Sequence, residues 1–332
     1  MTTPSAQTDR FVHDRLPPRD QWPELRYDLP ELRIADQANL VERLLDGAAA
    51  RGWADRPLLR SPQITFTYAE TRERVDRIAN YLVHELKLEP GNRVLLRGGN
   101  SIGMALSWLA VVKAGLIAVA TMPLLRATEL SKVIDKAQPV AAICDARLLQ
   151  ELEQAQQAFP ALQHVLRFNS PDDPSDLGQL VAHQAATFTA CPTSADDIAL
   201  LAFTSGTTGA PKAVVHTHRD VLAACEAWPR HVLRPTSDDI VTGSPPLAFT
   251  FGLGGLLLFP MWAGASIYYP DANYNPETMV RQMREQGVTT CYTSPTFYRQ
   301  LAPHMKAIGV PSLRTCVSAG EALPDATRQL WK

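Results

Sequence analysis

The chain has almost no excess charge: 32 Lys and Arg against 34 Asp and Glu leave a net charge of −2 across 332 residues. Such a balance offers nothing to nucleic acid or to an anionic membrane surface. Cysteine is sparse as well. Cys144, Cys191, Cys225, Cys291 and Cys316 are scattered without CxxC spacing, and an odd count argues against a disulfide framework. They read as buried free thiols of a reducing cytoplasm. No secretory core opens the sequence, because residues 1–36 are polar and carry Pro4, Pro17, Pro18, Pro23 and Pro30. Residues 101–120 hold a single charge, Lys113, and residues 240–270 hold none. Yet Gly115 breaks the first run and Pro245, Pro246 and Pro260 break the second, so both read as buried helices and strands rather than membrane spans. Two catalytic signatures are missing too. There is no G-x-x-x-x-G-K-(S/T) phosphate loop, and Ser205 and Ser294 lack a G-x-S-x-G elbow or a paired base.

What is present is an alternation of short apolar runs with amphipathic ones, the pattern of parallel sheets covered by helices. Thr67-Tyr68-Ala69-Glu70 is a capping box. Val75, Ile78, Ala79, Leu82 and Leu86 continue it as an apolar helical stripe. Residues 93–96, 117–120 and 140–144 read as strands, with helices over 102–114 and 130–137. A polar break at Pro171, Asp172, Asp173, Pro174 and Ser175 reads as a surface loop. Beyond a second loop at 191–197 the strands are 198–203, 240–243, 265–269, 288–292 and 314–317. Helices are expected over 220–228, 253–262, 276–286 and 296–305. This division suggests an extended arm (1–36), a first α/β subdomain (37–190) and a second one (191–332). Asp196-Asp197 and Asp238-Asp239 read as solvated turn residues. His216 and His218 lack a third ligand or an acid partner, so they read as local packing groups and no metal site is expected.

The most informative segment is residues 200–219, L-L-A-F-T-S-G-T-T-G-A-P-K-A-V-V-H-T-H-R. An apolar strand runs into Thr204, Ser205, Gly206, Thr207, Thr208 and Gly209, then Lys212. Two glycines let backbone N–H groups approach a ligand closely. Hydroxyls and amides line an anion-binding concavity, and Lys212 adds a point charge at its rim. The chemistry suits the polyphosphate of ATP.

The ordered T-S-G-T-T-G-x-P-K string resembles the signature of the AMP-forming acyl-CoA synthetases and related adenylate-forming ligases. Two further segments are similar to that family. S-P-P-L-A-F-T-F-G-L-G-G (residues 244–255) resembles the turn bordering the acyl or aryl pocket, which the resemblance assigns to Phe249, Phe251 and Gly252. For Phe251 a place in the core remains an equal reading. V-S-A-G-E-A-L-P (317–324) resembles the loop bordering adenine and the substrate carboxyl, implying roles for Ser318, Ala319, Gly320, Glu321 and Ala322. Thr293 joins the substrate set on the same ground.

Within the family, H-x-H-R-D-V-x-A-A-C and the 244–255 run look most like benzoate and 2-aminobenzoate (anthranilate) CoA ligases. Ala213 stands where many relatives have Gly. The resemblance implies two doubly wound sheet subdomains, ending before the family's β-barrel and mobile C-terminal domain. It implies ATP with Mg2+, an aryl acid and CoA as small-molecule partners. A carboxylate attacks the α-phosphorus of ATP, pyrophosphate leaves, and the CoA thiol then displaces AMP. The family's Tyr-Gly-x-Thr-Glu segment, ribose Asp and adenylation Lys have no counterpart in these 332 residues, so no catalytic residue is assigned. The chain is therefore expected to be an N-terminal fragment, inactive alone. An adenylation domain serving a carrier protein and a silent nucleotide-binding remnant remain the competing readings.

Overall fold

The computed structural model describes residues 3–204, 211–270 and 275–331. Its twelve strands are β1 (Pro57–Arg60), β2 (Thr65–Thr67), β3 (Arg93–Arg97), β4 (Ile117–Thr121), β5 (Ala141–Asp145), β6 (His164–Phe168), β7 (Ile198–Thr204), β8 (Lys212–Thr217), β9 (Ile240–Gly243), β10 (Ser266–Tyr268), β11 (Thr290–Thr293) and β12 (Thr315–Ser318). They form two six-stranded sheets, ordered β6-β5-β3-β4-β7-β8 and β12-β11-β9-β10-β1-β2. Each sheet is five parallel strands closed by one antiparallel edge strand, β8 in the first and β2 in the second.

Burial follows from the period-two geometry of strands. In β3, Val94 and Leu96 face a central layer shared by both sheets, while Leu95 faces outward. The central layer holds the helices Tyr68–Asn80, Ile102–Lys113 and His218–Trp228, packed against Leu58, Leu59, Val241 and Ile267 of the second sheet. Outer helices Ala127–Ala137 and Leu149–Gln156 cover the first sheet, and Pro276–Glu285 and Pro295–Ile308 cover the second. The result is five alternating helix and sheet layers.

Local signals in the sequence operate as expected. Thr67 and Glu70 make the capping box that opens Tyr68–Asn80. The helix Ile102–Lys113 is buried nearly all round, which is why it reads as a membrane span by composition. Gly115 ends it at φ 76°, and a Cβ there would collide with the Cys191 side chain. Lys113, only 1% exposed, is tolerated because Asp76 and Asp46 accept from its Nζ at 2.5 and 2.7 Å. Among the described residues no helix is long and apolar enough to cross a membrane.

The sheets do not follow the sequence division at 190/191. β1 and β2 lie in the early segment but complete the second sheet, and β7 and β8 lie in the late segment but complete the first. Alternation of strand and helix reports local structure, whereas which sheet edge a strand joins is decided by long-range pairing, here Ala118 with Leu200 and Leu59 with Ile267. The N-terminal arm is tied down over the first sheet. Gln7 is buried, donating to the Ile198 carbonyl at 2.7 Å and accepting from the Ile198 N–H at 3.2 Å.

Candidate active site

In open parallel sheets ligands gather at the carboxyl ends of strands, and the predicted residues sit there on both sheets. On the first sheet β7 ends at Thr204, and β8 returns antiparallel with Lys212 directly opposite it. Thr204 and Lys212 are both exposed. Ser205, Gly206, Thr207, Thr208 and Gly209 lie outside the described residues. Thr204 and Lys212 are thus register partners on adjacent antiparallel strands, and the described chain resumes as a strand where a P-loop continues as a helix.

The second sheet carries the rest. Gly243 of β9 pairs with Tyr292 of β11, and Thr293 pairs with Ser318 of β12. Ser244 follows Gly243, and its Oγ and Thr293 Oγ1 share a short hydrogen bond. Ser318 Oγ is buried without a hydrogen-bond partner among the described residues. Ser244, Thr293 and Ser318 thus form a row of hydroxyls across three neighbouring strand ends. A buried hydroxyl left unpaired costs about 1–3 kcal/mol.

Beyond β9 the chain turns through Pro245-Pro246 into a helix beginning at Thr250. Phe249 is 42% exposed at that turn. Phe251 is half-buried, its ring 5.8 Å from the Tyr292 ring at 58°. Gly252 is buried against the Pro245 and Pro246 carbonyls, with no room for a Cβ. Beyond β12, Ala319 is half-buried and Gly320, Glu321 and Ala322 are exposed. Glu321 ties its loop back to the preceding helix Pro295–Ile308, accepting from the Thr296 hydroxyl at 2.7 Å and the Thr296 N–H at 3.1 Å. Those two bonds hold its carboxyl below the usual carboxylate range.

Three further residues belong to this region. Asn100, in the loop between β3 and the helix Ile102–Lys113, reaches across to the second sheet. Its amide donates to Pro245 O at 2.9 Å and accepts from Leu247 N–H at 2.8 Å, clamping the turn that carries Phe249. In the sequence Asn100 is indistinguishable from ordinary helix-start polarity, since Ser101 is the actual cap. Tyr292 and Trp228 are the others. The period-two alternation of V-T-T-C-Y-T puts Tyr292 on the face opposite Thr293 and Cys291, toward the central layer, but nothing in the sequence brings Trp228 beside it.

His216 lies in β8, and His218 is the first residue of the following helix. His218 is fully buried, its Nδ1 accepts the Leu40 N–H at 3.1 Å, and burial pushes its pKa down to about 3. It is a neutral packing group. Among the described residues no three or more His, Cys, Asp or Glu side chains gather to hold a metal ion, so magnesium is assigned to none of them.

Residues 47–332 match the AMP-binding enzyme family. The chain belongs to that family. It is 28% identical over 305 residues to the benzoate–CoA ligase of Thauera aromatica, covering 91% of this chain and 58% of that protein. It is 29% identical over 257 residues to the anthranilate–CoA ligase of Pseudomonas aeruginosa, covering 74% of this chain and 47% of that protein. The crystal structure of the anthranilate CoA ligase AuaEII in complex with anthranoyl-AMP superposes with a TM-score of 0.83 at 27% identity, covering 91% of this chain and 58% of that one. This AMP-binding chain therefore spans about half the length of the relatives it matches.

Proposed function

We propose that this chain carries the nucleotide-gripping and acid-recognising part of an ATP-dependent, AMP-forming aryl-acid CoA ligase, with 2-aminobenzoate the favoured acid. The observation that carries the reading is the Phe251–Tyr292 aromatic pair at the carboxyl end of the second sheet, with the hydroxyls of Ser244, Thr293 and Ser318 at the same strand ends. A hydroxyl row suits a carboxylate, and an aromatic wall suits a planar ring, which gains about 0.5–1.5 kcal/mol beyond area burial from such contacts. The similarity to benzoate– and anthranilate–CoA ligases supports the same class.

In this reading the acid carboxylate attacks the α-phosphorus of ATP, forming the acyl–phosphate bond as the bond to pyrophosphate breaks. The CoA sulfur then attacks the acyl carbon and AMP leaves. No covalent enzyme intermediate is needed, because in-line transfer asks mainly for positioning and charge stabilisation. Lys212 and the loop from Thr204 to Gly209 hold the β- and γ-phosphates as they depart. Magnesium, where bound, neutralises phosphate charge. Ser318 and Thr293 orient the carboxylate, and Phe249, Phe251 and Gly252 bound the ring. Adenine lies along Gly320, Glu321 and Ala322.

Acid-dependent ATP–pyrophosphate exchange by the full-length protein tests this. The expected result is exchange with benzoate and 2-aminobenzoate and little with long-chain fatty acids. Faster exchange with a long-chain acid would overturn the assignment.

A further inference from the structure

Tyr292 and Ser318 both carry a buried hydroxyl without a hydrogen-bond partner among the described residues, and of the two only Tyr292 is buried as a whole residue. Its side chain is 1% exposed, and its hydroxyl makes no hydrogen bond of ordinary geometry among the described residues. The ring is fixed on three sides. Gly255 leaves the space the ring occupies, since any Cβ there would lie within 2.8 Å of it. Phe251 packs at 5.8 Å, and the strand register holds the backbone beside Gly243. The Trp228 side chain, at the end of the helix His218–Trp228, is a polar neighbour of the phenol. An indole N–H only donates, so whatever it gives to the phenol oxygen leaves the phenol's own proton without an acceptor. Burial raises the Tyr292 pKa, so the group stays a protonated donor at every working pH.

We infer that Tyr292, with Trp228 beside it, is a specificity-determining residue that recognises a lone-pair-bearing substituent, amino or hydroxyl, on the ring of the acid. The inference rests on the aryl-acid reading above and narrows it. The Tyr292 hydroxyl is a donor without an acceptor on an otherwise apolar wall, with Trp228 beside it. A plain benzoate leaves the Tyr292 proton unsatisfied, a methylbenzoate adds bulk without an acceptor, and an amino- or hydroxybenzoate supplies one. Sites built to hydrogen-bond a substrate group reject analogues that lack it far more strongly than apolar pockets reject a missing methylene.

The experiment compares acid-dependent pyrophosphate exchange by the full-length wild-type protein and by Tyr292→Phe. The acids are benzoate, 2-aminobenzoate, 3- and 4-hydroxybenzoate and the corresponding methylbenzoates. Wild type should prefer at least one amino or hydroxy acid over its methyl isostere by roughly ten-fold or more in kcat/KM, mostly through KM. Tyr292→Phe should erase that preference, bringing each amino or hydroxy acid and its methyl isostere to within about two-fold of each other in kcat/KM. Trp228→Phe should reduce the same preference, and it keeps the Tyr292 hydroxyl in place should the first variant fold poorly. A uniform loss across all acids would mean Tyr292 only packs. No preference in wild type would overturn the inference and leave the aryl-acid reading standing. No exchange with any aryl acid would overturn that reading itself.

Discussion

Replacing His218 with asparagine should flatten the pH dependence of stability between pH 7 and 5. His218 is fully buried and its pKa lies near 3 against an ordinary value of 6.5, because burial disfavours the imidazolium. The unfolded chain therefore binds a proton at this position well before the folded chain does. Stability must fall as pH drops through 6.5 and continue falling towards 3. With those two values the difference between pH 7 and pH 5 is about 2 kcal/mol, each unit of pH below 6.5 contributing about 1.4 kcal/mol. Asparagine retains a carbonyl oxygen that can accept the Leu40 N–H and does not titrate. Urea denaturation at several pH values measures the effect, and the slope rather than the absolute stability carries the test. His13, whose pKa burial also lowers, is present in both proteins and cancels. Asp145 and Asp239 do not interfere. Burial opposes their ionisation, but hydrogen bonds from Arg147 to Asp145, and from the Thr236 N–H, the Thr289 hydroxyl and Arg314 to Asp239, hold both below 3.8, so their losses begin only at lower pH. Equal slopes in wild type and variant would refute the neutral, buried state of His218.

Asn100→Ala should loosen the Pro245–Leu247 turn by removing two hydrogen bonds, a net loss of about 1–3 kcal/mol. In pyrophosphate exchange it should raise KM for the acid several-fold and leave KM for ATP within about two-fold; equal shifts in both would remove Asn100 from the acid side. Lys212→Ala should weaken ATP binding by about 1.5–3 kcal/mol, the contribution of a charge-assisted contact, with an unchanged thermal transition. Calorimetric titration of both proteins with ATP decides it, and equal affinities would exclude Lys212 from the site. Asp76→Ala should destabilise the fold by about 3 kcal/mol, because the buried Lys113 ammonium keeps only Asp46. A change below about 0.5 kcal/mol in urea denaturation would show that Lys113 is solvated or neutral.

Local chemistry was the legible part of this fold. Thr67 with Glu70 and Gly115 mark helix ends through contacts within a few residues, so the sequence carries them whole. β1, β2 and β6 lack comparable marks. Their side chains become interpretable only when Leu59 meets Ile267 and Ala142 meets Val165. The same holds at the site. Thr204, Lys212, Thr293 and Ser318 stand in recognisable strings. Asn100 and Trp228 act on residues 145 or more and 64 positions away, respectively, and only the folded chain brings them to Pro245 and Tyr292.

The distribution of these residues also says what the fold must hold constant. Thr204 and Lys212 belong to the first sheet and the hydroxyl row belongs to the second. An in-line attack on a phosphorus atom tolerates little error in the relative placement of its reactants, since misplacement by about 1 Å can cost a hundred-fold in rate. Hydrophobic packing in the central layer joins the sheets, but packing alone does not direct a turn. The Asn100 amide does, because its donor and acceptor meet complementary backbone groups two residues apart on the very turn that leads to Phe249 and Phe251. Aspartate in its place would keep the acceptor and lose the donor, leaving one bond to Leu247. If orientation of that turn is what the amide supplies, Asn100→Asp must fall between wild type and Asn100→Ala in KM for the acid, and that ordering is what a purely steric role would not produce.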